Sequence, residues 1–140
     1  MGVSINHFGT PAMNANLLLL LGRILLGADF VYAGYGKLVG AAGMTGFFGS
    51  LGLPDSIVFV YVVGAFELLA GLAVILGFQV RIAGILLALF CIATGFLAHI
   101  GDFTIFMKNI TMAGGFLALA GAGAGTYSLQ RRTGRVSATV

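Results

Sequence analysis

The sequence predicts an all-α membrane protein, an antiparallel bundle of four transmembrane helices, and three observations carry that expectation. Hydrophobic residues make up 59% of the 140-residue chain and charged residues 8%, against about 25% charged in a soluble domain. Seven Lys and Arg and four Asp and Glu cannot cover a water-facing globule. Four apolar runs are each long enough to cross about 30 Å of hydrocarbon. No segment alternates with period two, which argues against a β-barrel. Twenty-three glycines with two prolines and no strict repeat exclude collagen, and the mean hydropathy of +1.08 excludes disorder.

In chain order, residues 1–14 form a polar, uncharged tail that lacks the basic flank of a secretory signal. The four-helix domain is expected over 15–126. Its first span, about 15–38, is too long for a signal sequence. A Gly-rich loop follows (Gly40, Gly43, Gly46, Gly49, Gly52), interrupted by Phe47 and Phe48 and closed by Leu53-Pro54-Asp55. Pro54 and Asp55 suit the start of the second helix, about 56–77, because proline pre-sets φ and aspartate faces the positive end of the dipole. Phe78-Gln79 turns the chain into the third helix, about 80–99, near whose start lies Arg81. Ile100-Gly101-Asp102-Phe103 turns it into the fourth, about 105–125, and residues 127–140 form a basic tail with Arg131, Arg132 and Arg135. An even number of spans puts both termini on one side. The cytoplasmic side is expected, since it then receives Arg81 and the three tail arginines against Lys37 and Lys108 outside. The same rule reads the basic tail as a membrane anchor, and no nucleic-acid partner is expected.

Sorted at 100° per residue, the helices show small-residue faces for close packing. The third helix has Gly84, Ala88, Cys91, Gly95 and Ala98 within about 80°, and the fourth has Thr111, Gly115, Ala118, Ala122 and Gly125. Cys91, the single cysteine, reads as a packing residue and excludes an internal disulfide or CxxC pair. On the first helix Arg23, Gly27, Phe30, Gly34 and Lys37 share one face. Asp29 shares another with Gly22, Leu25, Ala33 and Gly36. That second face is expected to meet either a helix of a second subunit or the fourth helix of the same chain.

Ionisable groups at membrane depth carry the functional signal, because they need a partner or a water-filled site. Glu67 sits at the centre of the second span, Asp29 near the centre of the first, and Arg23 about four residues, or about 6 Å, to the cytoplasmic side of that centre. An Arg23–Glu67 pair is therefore expected, either as a structural ion pair or as part of a polar pocket. Lys37, about 21 Å from Arg23 along the helix, is expected to stay out of it. A second cluster is expected at the outer interface from Lys37, His99, Asp102, Lys108 and Asn109. The bland reading there is snorkelling lysines and a histidine at a helix end. The sharper one is a site for an anionic or quinone-like ligand with His99 as proton carrier. No Cys/His set suits zinc or iron–sulfur, and two histidines in different regions cannot make the usual bis-His haem span, although His99 alone could ligate one axial position. No flavin motif is visible and no metal site is expected. The Gly121–Gly125 run and the Asn109-Ile110-Thr111 sequon lack the context that would make them a nucleotide loop or a glycan site.

The order Leu21-Gly22-Arg23-Ile24-Leu25-Leu26-Gly27, Phe30, Gly34 and Gly36-Lys37-Leu38 resembles the opening of the DoxX family of small four-helix membrane proteins. Gly52-Leu53-Pro54, Glu67-Leu68-Leu69-Ala70-Gly71, Leu76-Gly77 through Arg81, and Ala98-His99 continue the match. Lys108-Asn109, Gly114-Gly115 and Gly123 to Leu129 complete it, over about residues 17 to 129. The resemblance implies a bacterial or archaeal plasma-membrane protein with a redox connection. The family is named for a small subunit associated with a terminal quinol oxidase, and its members are linked to thiosulfate:quinone oxidoreduction, quinone or catechol stress and thiol homeostasis. The leading expectation is a quinone-associated protein, and any enzymatic activity would be an oxidoreductase reaction shared with a partner protein. Arg23, Lys37, Glu67, His99, Lys108 and Asn109 are the candidates to hold the quinone, with Glu67 and His99 as proton-exchanging groups. The competing expectation is a non-catalytic accessory subunit of a larger membrane redox complex, and a homo-oligomer is compatible with either.

Overall fold

Asn14 starts the first helix: its side-chain oxygen accepts from the backbone N–H of Asn16 at 3.0 Å, satisfying one of the donors a helix start leaves unpaired. The computed structural model describes residues 14–130. Residues 1–13 of the polar tail, and Arg131, Arg132 and Arg135, lie outside the described residues. The helices are α1 (Ala15–Val39), α2 (Ala41–Ser50), α3 (Ile57–Leu76), α4 (Val80–Ala98) and α5 (Phe103–Ala122). All but α2 are long and apolar enough to cross a membrane, and there is no strand among the described residues.

The segment expected as a Gly-rich loop is the helix α2, separated from α1 only at Gly40. Its residues 41–50 contain no proline, and each of its glycines lowers helix propensity by only about 1 kcal/mol. Burial of Ala41 and Phe48 against Val60 of α3 holds it in place. Pro54 and Asp55 also differ from expectation: they precede the N-cap Ser56 and supply no acidic group to the first turn of α3.

Two left-handed residues make the tight link between α3 and α4. Gly77 (φ +75°) ends α3, with the N–H of Phe78 returning to the carbonyl of Ala73 at 2.8 Å, and Gln79 (φ +47°) opens α4. Asp102 caps α5 by accepting from the N–H of Ile105 at 3.1 Å. Helix α5 stops at Ala122, short of the expected 125, because Gly123 turns the backbone to φ +84°. The following segment folds back under the bundle. The N–H of Thr126 donates to the Asn16 side chain at 2.8 Å, and that of Gln130 to the carbonyl of Gly77 at 3.3 Å.

The bundle is built from two tight antiparallel pairs, α1 with α3 and α4 with α5. In the first, Gly34 faces Gly64 and Gly27 faces Gly71. A Cβ on Gly34 would stand 2.5 Å from the backbone nitrogen of Leu68 and 2.6 Å from the carbonyl of Gly64. Backbones this close are what small residues allow in a medium that offers no hydrophobic push between helices. In the second, Gly84 lies against Phe116 and Ala120, and Gly95 against Phe106 and Asn109. Ala88 and Cys91 are buried on the same side of α4. Gly115 of α5 meets Leu26 of α1 instead. The pairs join through a core of Phe30, Val74, Leu87 and Phe116, in which the Phe30 ring meets those of Phe90 and Phe116 edge-on. Leu25, Leu69, Ile82 and Leu89 cover the outside, as a lipid-facing surface requires.

The candidate site at the α2 end

The α1–α3 glycine contacts set the depths of the charged groups. In that register Glu67 is level with Val31, while Lys37 lies about 9 Å nearer the α2 end and Arg23 about 12 Å nearer the terminal end. Glu67 is 3% exposed at the middle of α3. The lysine stem reaches it: Lys37 Nζ lies 2.8 Å from Glu67 Oε2, with the lysine side chain 18% exposed. The Arg23–Glu67 pair expected from the sequence does not form, and the lysine expected to stay out of it is the partner. The contact is close but poorly aligned for a hydrogen bond, so Oε2 keeps unused acceptor capacity.

Beside this pair is a cavity of about 380 Å³ between α2, α3 and the last turns of α1 and α4. Phe47, Phe48, Phe59 and Phe90 wall it, Thr94 adds a hydroxyl, and half-buried His99, the residue that ends α4, stands at its edge. Ligand sites typically measure about 300–1,000 Å³ and are mainly apolar with a few placed polar groups. Lys37, Glu67 and His99 are thus brought to one cavity. The aromatic wall was not singled out in the sequence, since half of it sits on α2.

The other expected ligands go elsewhere. Lys108 is exposed on α5. Asn109 packs toward Gly95, and its amide donates to the carbonyl of Ile105 at 2.9 Å. Asp102 is engaged as a helix cap. Arg23 is 0% exposed at the terminal end. One of its terminal nitrogens donates to the carbonyl of Ala124 at 2.9 Å and the other to that of Tyr127. Gly77 lies against the guanidinium, in space a Cβ would fill. The cation therefore sits at the negative ends of α3 and α5, fastened to the segment that folds back beneath them.

Four apolar spans, an ion pair at membrane depth and an adjoining apolar cavity of small-molecule size define a multi-pass helical membrane protein. The chain belongs to the DoxX family, whose profile matches residues 18–100. It is 37% identical over 117 residues to the inner membrane protein YqjF of Escherichia coli K12, covering 80% of this chain and 88% of that protein. It is 32% identical over 126 residues to the inner membrane protein YphA of the same organism, covering 83% and 90%. Over 70 residues it is 43% identical to the putative oxidoreductase CatD of Bacillus subtilis 168, about half of each chain. No solved structure matches it significantly.

Proposed function

We propose that the cavity at the α2 end binds the ring of a quinone or a closely related oxygenated aromatic, and that the protein is a quinone-associated component of a membrane oxidoreductase system. In this reading it lies in the inner membrane, with both termini cytoplasmic and the α2 end outward. The observation that carries the reading is the Lys37–Glu67 pair beside a mainly apolar cavity that includes four phenylalanines, with unused acceptor capacity on Glu67 Oε2. The putative oxidoreductase among the relatives and the family's redox associations support it.

A bound quinone would supply reversible two-electron, two-proton chemistry. Lys37 would donate through Nζ to a ring oxygen and stabilise negative charge there. Glu67 would accept a proton from a ring hydroxyl at Oε2, and His99 would exchange protons with the interface. The phenylalanines would stack on the ring and exclude water. Electrons come from a partner protein in this reading.

The test is retention of quinone by protein extracted with its native lipids, read by native mass spectrometry, followed by titration with a short-chain quinone. Glu67→Gln keeps the shape of the side chain and is expected to weaken binding at least tenfold with an unchanged helical spectrum. A wild-type protein that neither retains nor binds quinone would overturn the reading. Co-purification at fixed stoichiometry with a larger complex whose turnover tolerates Glu67→Gln and His99→Gln would replace it with an accessory role.

A further inference from the structure

One face of α1 is covered by no other part of the described chain. Asp29 is exposed on it, two residues from the middle of α1 and close to the level of Glu67. Gly22 and Gly36 lie one heptad to either side, and a Cβ at either would meet nothing within 4 Å. Across the Leu26–Gly115 contact the face continues onto α5, where Lys108 is exposed. Among the described residues the ion pair is Lys37–Glu67, so Asp29 and Lys108 each lack an opposite charge within bonding distance. Asp29 lies one turn from Leu26 on α1 and Lys108 two turns from Gly115 on α5, so the Leu26–Gly115 contact brings the two charges to one side of the bundle.

A carboxylate facing acyl chains near the midplane is among the least favourable placements in a bilayer and normally meets a partner. We propose that this face is the interface with a second copy of the chain, Asp29 of each copy meeting Lys108 of the other about a two-fold axis along the membrane normal. Such an axis brings a patch against itself, so a patch with one acid and one base at similar depth is its own complement. The α1–α5 contact puts Lys108 about 6 Å nearer the α2 end than Asp29, within reach of a flexible four-carbon stem. The open glycines on α1 let the backbones approach. The interface involves none of the cavity residues and stands or falls independently of the ligand.

The test counts copies per particle by single-molecule photobleaching in liposomes of Escherichia coli lipid. Asp29→Leu suits α1 to lipid and leaves the bundle contacts intact, and is expected to lower the dimer fraction at least tenfold at fixed protein-to-lipid ratio. Lys108→Asp should act likewise, and the double exchange Asp29→Lys with Lys108→Asp should restore dimers. In a Cys91→Ser background, Gly22→Cys or Gly36→Cys should give cross-linked dimers with a short bis-maleimide, whereas Leu69→Cys, on the lipid face of α3, should not. Wild-type protein that is monomeric at every density, an Asp29→Leu variant as dimeric as wild type, or equal cross-linking from Leu69→Cys would overturn the proposal. Cross-linking of Gly22→Cys to a different protein alone would overturn it too, assigning the face to that partner.

Discussion

The two ends of the bundle each bury a cation, and they treat it in opposite ways. At the terminal end Arg23 has no acidic partner among the described residues, yet its forked guanidinium is held by two backbone carbonyls and wedged against Gly77. At the α2 end Lys37 does have an acidic partner, but the pair is poorly aligned and borders a cavity. The contrast separates two uses of charge within a membrane. Arg23 also borders a cavity, of about 400 Å³, and its Nε has no hydrogen-bond partner among the described residues, so the difference lies in what holds each cation: backbone carbonyls of the returning segment fasten Arg23 to the fold, whereas Lys37 faces a buried carboxylate in a mainly apolar cavity.

The comparison depends on the glycine register that sets both depths. Gly34→Val would drive a side chain into the backbone of α3 at Gly64 and Leu68, a shift no rotamer can relieve. It should cost about 4 kcal/mol or more and abolish ligand binding, as read by thermal unfolding in detergent with ligand titration. Lys37→Met should come next. It leaves Glu67 buried without compensation, which typically costs about 3–5 kcal/mol. Adding Glu67→Leu should restore most of that stability while leaving binding absent. If the double variant still binds the quinone, the α2 end is not the site.

Arg23→Met should be milder, about 1–3 kcal/mol, because it orphans two carbonyls and no charge. Its signature is local: faster hydrogen exchange across residues 123–130 with ligand affinity within twofold of wild type. Loss of binding equal to that of Glu67→Gln would erase the distinction between the ends. His99→Gln should have the smallest effect on stability, within about 0.5 kcal/mol. Quinone should still be retained, and proton uptake coupled to its reduction should slow.

The spans, the family and the presence of Arg23, Lys37 and Glu67 at membrane depth were all legible in the sequence, because each rests on a local signal: apolar length, motif order, or charge where hydropathy forbids it. The partners of those charges were not. Arg23 and Glu67 seemed close when each was measured from the centre of its own helix, and Lys37 was set aside by its distance from Arg23. Yet Lys37 shares the face of Gly27 and Gly34 that packs on α3, a sign already present in the periodicity. Helix α2 was hidden by its glycines, since burial of Ala41 and Phe48 against Val60 outweighs a weak propensity.

Sequence alone therefore determined that this chain crosses a membrane four times and carries charge within it, since apolar length and forbidden residues are properties of single segments. Only the tertiary structure decided which charges meet and where space is left between them. A sliding contact between Gly27, Gly34, Gly64 and Gly71 fixes those depths to within one turn, and no single helix holds that information.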